Sequence, residues 1–327
     1  MPNTIQIIKK IISNKLIENG YFDKLGKKKF ITVMYHGVDL EQNIDFNPRF
    51  FSAANFEEQI ALYKKHTNIL THDDLVNGRF SDTQLNTVIT FDDGYLNNLK
   101  YALPILEKHD VHAYYFVTGI GSMERKILWA DTLDIVATLA KEKSKVQLAG
   151  SEFILYNKKF VDPVTNISLK NFIKNRPTSG YQEKSDIIEQ LLAIHDFTKL
   201  NNISDYWQLM NDDEIALTSR SKNITIGSHG FYHNNLGSMP HEDAIAEVMK
   251  SKSYLENIIQ KEVTSIGFPD GSYTVQLNED LYKLGFNKQF LVKYHFSDDG
   301  INDYVYDRFG LYPYMGNANQ ILHKTVH

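Results

Sequence analysis

Apolar and polar positions fall in short blocks along this chain, and the blocks predict alternating strands and helices. Thr87-Val88-Ile89-Thr90-Phe91 is β-branched and apolar, as a buried strand is. Two carboxylates, Asp92 and Asp93, follow at once, then Gly94, which permits a sharp turn. From Leu96 to Glu107 the spacing is helical, with Leu99, Leu103 and Leu106 on one side. Upstream, Phe30 to Tyr35 predicts a strand that ends in His36-Gly37-Val38. Asn55 suits the cap of a helix from Phe56 to His66, where Phe56, Ile60 and Tyr63 share a face. Thr71, Asp73 and Asp74 open a helical turn through Val76, and Val111 to Thr118 reads as a further strand.

Between about Arg125 and Tyr206 the alternation breaks. Trp129 to Ala140 has helical spacing, Glu152 to Tyr156 and Lys159 to Val161 predict a hairpin, and Lys170 to Lys174 and Ser185 to His195 predict helices. This stretch reads as an insertion at one end of a barrel, either covering a cleft or without a functional role. The alternation then resumes. Asn211 with Glu214 three residues on predicts a helix start. Ile224 to Ile226 and Thr264 to Phe268 read as strands, Lys288 to Tyr294 as another. Ala244, Val248, Leu255 and Ile259 form one helical face, and Leu277 to Leu284 is a helix stopped by Gly285. Strands and helices in this order predict a mostly parallel sheet or barrel.

Composition narrows the chemistry. The chain has 327 residues, 42% hydrophobic and 23% charged, enough for a large core. A net charge of −5 carries no basic footprint, which argues against nucleic acid as a partner. With no cysteine there is no disulfide and no thiolate zinc site, so any metal rests on His, Asp or Glu. Ile5, Ile8, Ile12 and Leu16 are helically spaced, but Lys9, Lys10 and Lys15 interrupt them, so residues 1–29 read as a helical segment and not as a secretory signal. That segment either lies on a membrane surface through residues 1–20 or packs on its own domain, residues 30–327. The expectation is a protein of the cytoplasm, peripheral to a membrane at most and without a membrane span.

Two constellations carry chemistry. Asp92 and Asp93 repel when both are ionised, so the pair calls for a cation or a shared proton, unless Asp93 only caps the next helix. His229 and His233 stand four residues apart, a spacing that brings two imidazoles to one metal but also occurs in packing. His36, Asp92-Asp93, His229-His233 and Pro269-Asp270-Gly271 each follow a predicted strand. In a βα barrel those strand ends share one face, where active sites are built.

Thr90-Phe91-Asp92-Asp93-Gly94-Tyr95, then Ser228-His229 and His233 followed by Asn235-Leu236, then Phe268-Pro269 and Gly271, resemble the polysaccharide deacetylases with a NodB-type domain. The resemblance spans about Phe30 to Leu311 and is weakest over the insertion. It implies a distorted (β/α) barrel. It also implies removal of acetyl groups from N-acetylated sugars with a divalent metal, commonly zinc. Asp93, His229 and His233 would then be the metal ligands and Asp92 the general base. Tyr95, Pro269, Asp270 and Gly271 would face the substrate, with a backbone N–H of the Pro269–Ser272 turn on the oxyanion. Met34-Tyr35-His36-Gly37-Val38 resembles a branch acting on poly-N-acetylglucosamine and related exopolysaccharides. There the barrel order is permuted and this early histidine is the catalytic acid, which assigns His36.

The chain departs from the family pattern in three places. Ser265, Ile266, Gly267 and Phe268 stand where relatives carry an arginine; Arg308 either substitutes by pairing with Asp92 or is a surface arginine. Asp270 replaces a common aromatic residue, and Leu322-His323 only loosely matches the C-terminal acid motif, leaving His323 as a second acid candidate. The expected substrate is an acetylated carbohydrate, a polymer or a lipid- or nucleotide-linked intermediate of surface polysaccharide synthesis. Two other readings stay open: a non-haem iron oxygenase, which also uses two histidines and a carboxylate, and a catalytically silent carbohydrate-binding relative.

Overall fold

The computed structural model describes residues 30–41, 43–124, 126–174, 176, 180–293, 302–311 and 313. The expected N-terminal helix, its membrane contact through residues 1–20 and the candidate His323 lie outside the described residues. Among the described residues no helix is long and apolar enough to cross a membrane.

The first half runs β1 (Phe30–Tyr35), β2 (Val38–Asp39), β3 (Phe51–Ser52), α1 (Ala53–His66), β4 (Thr67–Ile69), α2 (His72–Val76) and β5 (Leu85–Phe91). A π-turn, Asn98–Ala102, leads into α3 (Leu103–His109), and β6 (Ala113–Val117) follows. The segment after β6, expected as an insertion, holds α4 (Trp129–Leu139), β7 (Lys145–Leu148), β8 (Ser151–Tyr156), β9 (Lys159–Val161), α5 (Leu169–Lys174) and α6 (Tyr181–Ile194). Next come α7 (Asp212–Thr218), β10 (Ile224–Ser228), α8 (His241–Ile259), β11 (Ser265–Gly267) and α9 (Val275–Lys283). Strands β12 (Lys288–Phe290), β13 (Val305–Tyr306) and β14 (Phe309–Gly310) complete the described chain.

Local chemistry explains where elements begin. The cap of α1 is Ser52 and not Asn55: the Ser52 hydroxyl accepts the Asn55 N–H at 3.2 Å, so the helix starts before its apolar stripe does. Thr71 with Asp74, and Asn211 with Glu214, each form a reciprocal capping box. The stretch expected as one helix from Leu96 to Glu107 is instead split. Pro104 has no N–H to donate, and just before it the Leu103 N–H reaches back to the Asn98 carbonyl in a wider π-type turn.

Among the described residues nine strands form one parallel sheet along the path β13-β12-β11-β10-β6-β5-β1-β14, with β4 also on β5. The sheet curls. Its terminal strands β13 and β14 are separated in sequence only by Asp307 and Arg308, so one short segment spans both edges. Alternation along the strands sorts two cores. Ile89, Phe91, Tyr115 and Val117 pack against the helices with Leu106 and Val248, whereas Val88, Tyr114, Phe116 and Phe290 fill the inside of the curl.

The segment from α4 to α6 has a core of its own, in which Leu133, Val136, Phe153, Ile187 and Leu191 pack together with Phe50 and Tyr95. The expected hairpin is there as β8 and β9, extended by the unforeseen antiparallel β7.

Candidate metal and catalytic site

The period of two that points Val88 and Thr90 into the curl continues to Asp92, whose N–H extends the ladder to the Tyr35 carbonyl at 3.0 Å. Arg308, placed at the seam, meets it there. Its Nη1 and Nη2 donate to Asp92 Oδ1 and Oδ2 at 2.5 and 3.0 Å, its Nε to the Leu291 carbonyl at 3.1 Å. The guanidinium also lies over the Phe116 ring. Arg308 is buried, so the surface alternative does not hold. Burial alone would raise the Asp92 carboxyl, but Arg308 and then His229 outweigh it and hold it below its ordinary value.

The chain then turns sharply. Asp93 and Gly94 both take left-handed backbone, φ 75° and 85°. Glycine is required at 94, where a Cβ would also stand 2.9 Å from Val117 Cγ1. The adjacent carboxylates take different arginines, Asp92 pairing with Arg308 and Asp93 with Arg49, while both face His229. Asp93 Oδ2 lies 3.2 Å from Nη1 of Arg49. Asp93 Oδ1 is buried without a hydrogen bond, 3.4 Å from His229 Nε2 and 3.2 Å from His233 Nε2. Burial opposes the charge, but both histidines and Arg49 hold the Asp93 carboxyl well below its ordinary value.

His229 directly follows β10 and His233 lies on the loop beyond it. The ring Nδ1 of His229 contacts the Gly267 carbonyl at 2.6 Å. A carbonyl only accepts, so this nitrogen carries the hydrogen, which leaves Nε2, on the Asp93 side, as the atom available to a metal. One carboxylate oxygen and one nitrogen from each of the two histidines lie within 4.8 Å of one another. A buried oxygen without a donor beside two imidazoles, one with its tautomer fixed for ligation, suits a zinc-class cation. Asp93 does not cap a helix through its side chain; its carboxylate faces this group.

His36 follows β1, its carbonyl held by Asn98 Nδ2 at 2.8 Å. Burial, with Arg49 adding to it, lowers its ring to about 4, although Asp93 and Asp92 pull the other way. The ring therefore shares the electrostatic field of both aspartates.

Two expectations for the substrate side change. Tyr95 does not face a cleft: it is fully buried, its hydroxyl donating to Asp131 at 2.6 Å and accepting from Arg49 at 2.8 Å. In the Pro269–Ser272 turn the N–H groups of Gly271 and Ser272 are spent internally, on Phe268 and Pro269. Pro269 has none, which leaves the Asp270 N–H as the turn's uncommitted donor. The Asp270 carboxylate pairs with Lys174 from α5. Arg49, Asp131 and Lys184, all close to the site, carry no signal in the periodicity of the sequence.

The family model described as polysaccharide deacetylase matches residues 82–150 and 182–288. No curated protein sequence matches the chain. Solved structures share its fold. The Streptococcus pyogenes deacetylase PplD, in complex with acetate, is 15% identical with a TM-score of 0.53, covering 90% of this chain and 98% of its own. IcaB from Ammonifex degensii is 14% identical with a TM-score of 0.55, covering 92% and 99%. BC0361, a polysaccharide deacetylase from Bacillus cereus, is 16% identical with a TM-score of 0.54, covering 92% and 70%.

Proposed function

We propose that this chain, which belongs to the polysaccharide deacetylase family, hydrolyses the N-acetyl amide of a sugar polymer or oligosaccharide at a divalent-metal centre. The observation that carries the metal reading is the buried Asp93 Oδ1, without a hydrogen bond and facing two imidazole nitrogens.

Asp93, His229 and His233 would hold the ion, most readily Zn2+. Bound there, it supplies an activated water and polarises the acetyl carbonyl. Asp92, beside this group but gripped by Arg308, takes a proton from the attacking water. Its lowered pKa keeps it ionised, and so ready to accept, across the neutral range. In this reading the Asp270 N–H would donate to the oxygen on which charge develops. His36 delivers a proton to the departing amine, which leaves poorly without one. A ring lowered to about 4 is neutral at rest, so in this reading His36 would take up the proton it delivers during turnover.

Two histidines and a carboxylate also form the triad of non-haem iron oxygenases. The paired base Asp92–Arg308 beside the triad favours hydrolysis, as the family does. The test is acetate release from N-acetylglucosamine oligomers and polymer, with and without chelator. Acetate that appears only with metal present supports the reading. A dioxygen requirement without acetate would overturn it.

A further inference from the structure

Buried polar side chains of α4 and α6 reach the candidate ligands from two sides. On the first side, α4 carries Asp131, which is 1% exposed. Asp131 Oδ1 accepts from Arg49 Nη2 at 2.6 Å and Asn47 Nδ2 at 3.1 Å; Oδ2 accepts from Tyr95 at 2.6 Å. Arg49 Nε donates to Asn47 Oδ1 at 3.2 Å. With the fork so held, its other terminal nitrogen, Nη1, is aimed at Asp93 Oδ2 at 3.2 Å. Asp93 is left with one oxygen anchored and one directed at the histidines.

On the second side, α6 carries Lys184, a lysine only 5% exposed. Its Nζ donates to the His233 carbonyl and to Asn234 Oδ1, both at 2.9 Å. His233 has left-handed backbone, φ 53°, a conformation a non-glycine residue keeps only with outside support. Glu247 supplies the rest of that support, accepting from the Tyr232 N–H at 2.9 Å and from Asn234 Nδ2 at 2.8 Å.

We propose that Arg49 and Lys184 are positioning residues of the metal centre, so that α4 and α6, through Asp131 and Lys184, are working parts of it. The inference rests on the reading that Asp93 and His233 hold a metal. Planar Arg49 spans four partners at once, which a lysine of the same charge does not. A purely structural clamp would change stability but not the affinity or geometry of a bound ion.

The experiment uses the full chain and its Arg49→Lys, Lys184→Met and Asp131→Asn variants. Folding is checked by circular dichroism. Zn2+ affinity is read by competition with a chromophoric chelator, and ligand geometry by the visible absorption of bound Co2+. Each variant is expected to bind Zn2+ about 10–100-fold more weakly, with an altered Co2+ band, as losses around ligands usually do. Arg49→Lys combined with Asp131→Asn should lose little beyond either alone, because both act through one fork. Folded variants with wild-type affinity and spectrum would overturn the proposal. Asp131→Asn is isosteric and touches no ligand candidate, so it decides the first side even if Arg49→Lys does not fold; Lys184→Gln does the same for the second. A wild-type chain that binds neither ion sinks the metal reading itself, whereas equal binding by wild type and variants sinks this inference alone.

Discussion

Arg308 grips both oxygens of Asp92 from 216 residues further along the chain, at 2.5 and 3.0 Å, with neither partner open to solvent. The seam of the curled sheet makes the pairing possible, since Arg308 sits between the strands that border its two edges. Breaking a buried pair strands a charge, which costs about 3–5 kcal/mol. Arg308→Ala should therefore lower urea stability by roughly that amount. Arg308→Lys keeps the charge but not the fork, and should lose about 10–100-fold in acetate release while still binding metal. A loss below about 1 kcal/mol for Arg308→Ala would show that the pair contributes little.

Asp92 is 3.8 Å from His229 through its nearer oxygen, but both of its oxygens are committed to Arg308. Asp92→Asn should consequently retain metal and lose activity by roughly 10²–10⁴, the range for removal of a general base. Elemental analysis beside acetate release separates the outcomes. Metal lost together with activity would mean that the roles of Asp92 and Asp93 are exchanged.

For His36, replacement by alanine should keep fold and metal and lower turnover by roughly 10²–10⁴. A substrate with an activated leaving group should recover much of that loss, because its departure needs less protonation. His323→Ala should cost little. An inactive His323→Ala beside a nearly normal His36→Ala would move the acid to the C-terminal histidine.

Lys184 gives a pH signature in stability. Burial lowers it from 10.5 to about 8, despite the opposing charges of Asp270 and Glu247. Between those values the unfolded chain holds the proton and the folded chain does not, so stability from this group rises with pH. The contribution is complete above the unfolded value and is lost as pH falls through about 8. Urea stability of wild type minus Lys184→Met should climb between the two values, by about 3 kcal/mol at most. A flat difference would show that the folded lysine titrates normally.

The motifs were legible because their chemistry is local. Asp92 and Asp93 directly follow a β-branched strand, and His229 and His233 directly follow another, so strand ends alone collect them on one face. The partners of these residues were less legible. Arg308 could be read either as a partner of Asp92 or as a surface arginine, because its burial depends on closure of the sheet. Arg49 follows Asn47-Pro48 in a loop, where an arginine normally meets solvent. Asp131 looks like an ordinary first-turn acid of α4, and Lys184 like an ordinary surface lysine of α6, yet both point inward to meet buried partners. For Tyr95 the resemblance implied a place facing the substrate, while the chain beyond the turn at Gly94 buries it with Leu133 and Phe153.

The central claim is that one metal held by Asp93, His229 and His233 drives amide hydrolysis. It is tested most directly by titrating metal-stripped protein with Zn2+ while following acetate release from an N-acetylglucosamine polymer. The account predicts a rate near zero at the start that rises to a plateau at about one equivalent, and a His233→Ala protein that stays inactive at that ratio. Full acetate release from the stripped protein, or a His233→Ala titration that overlays the wild type, would contradict it.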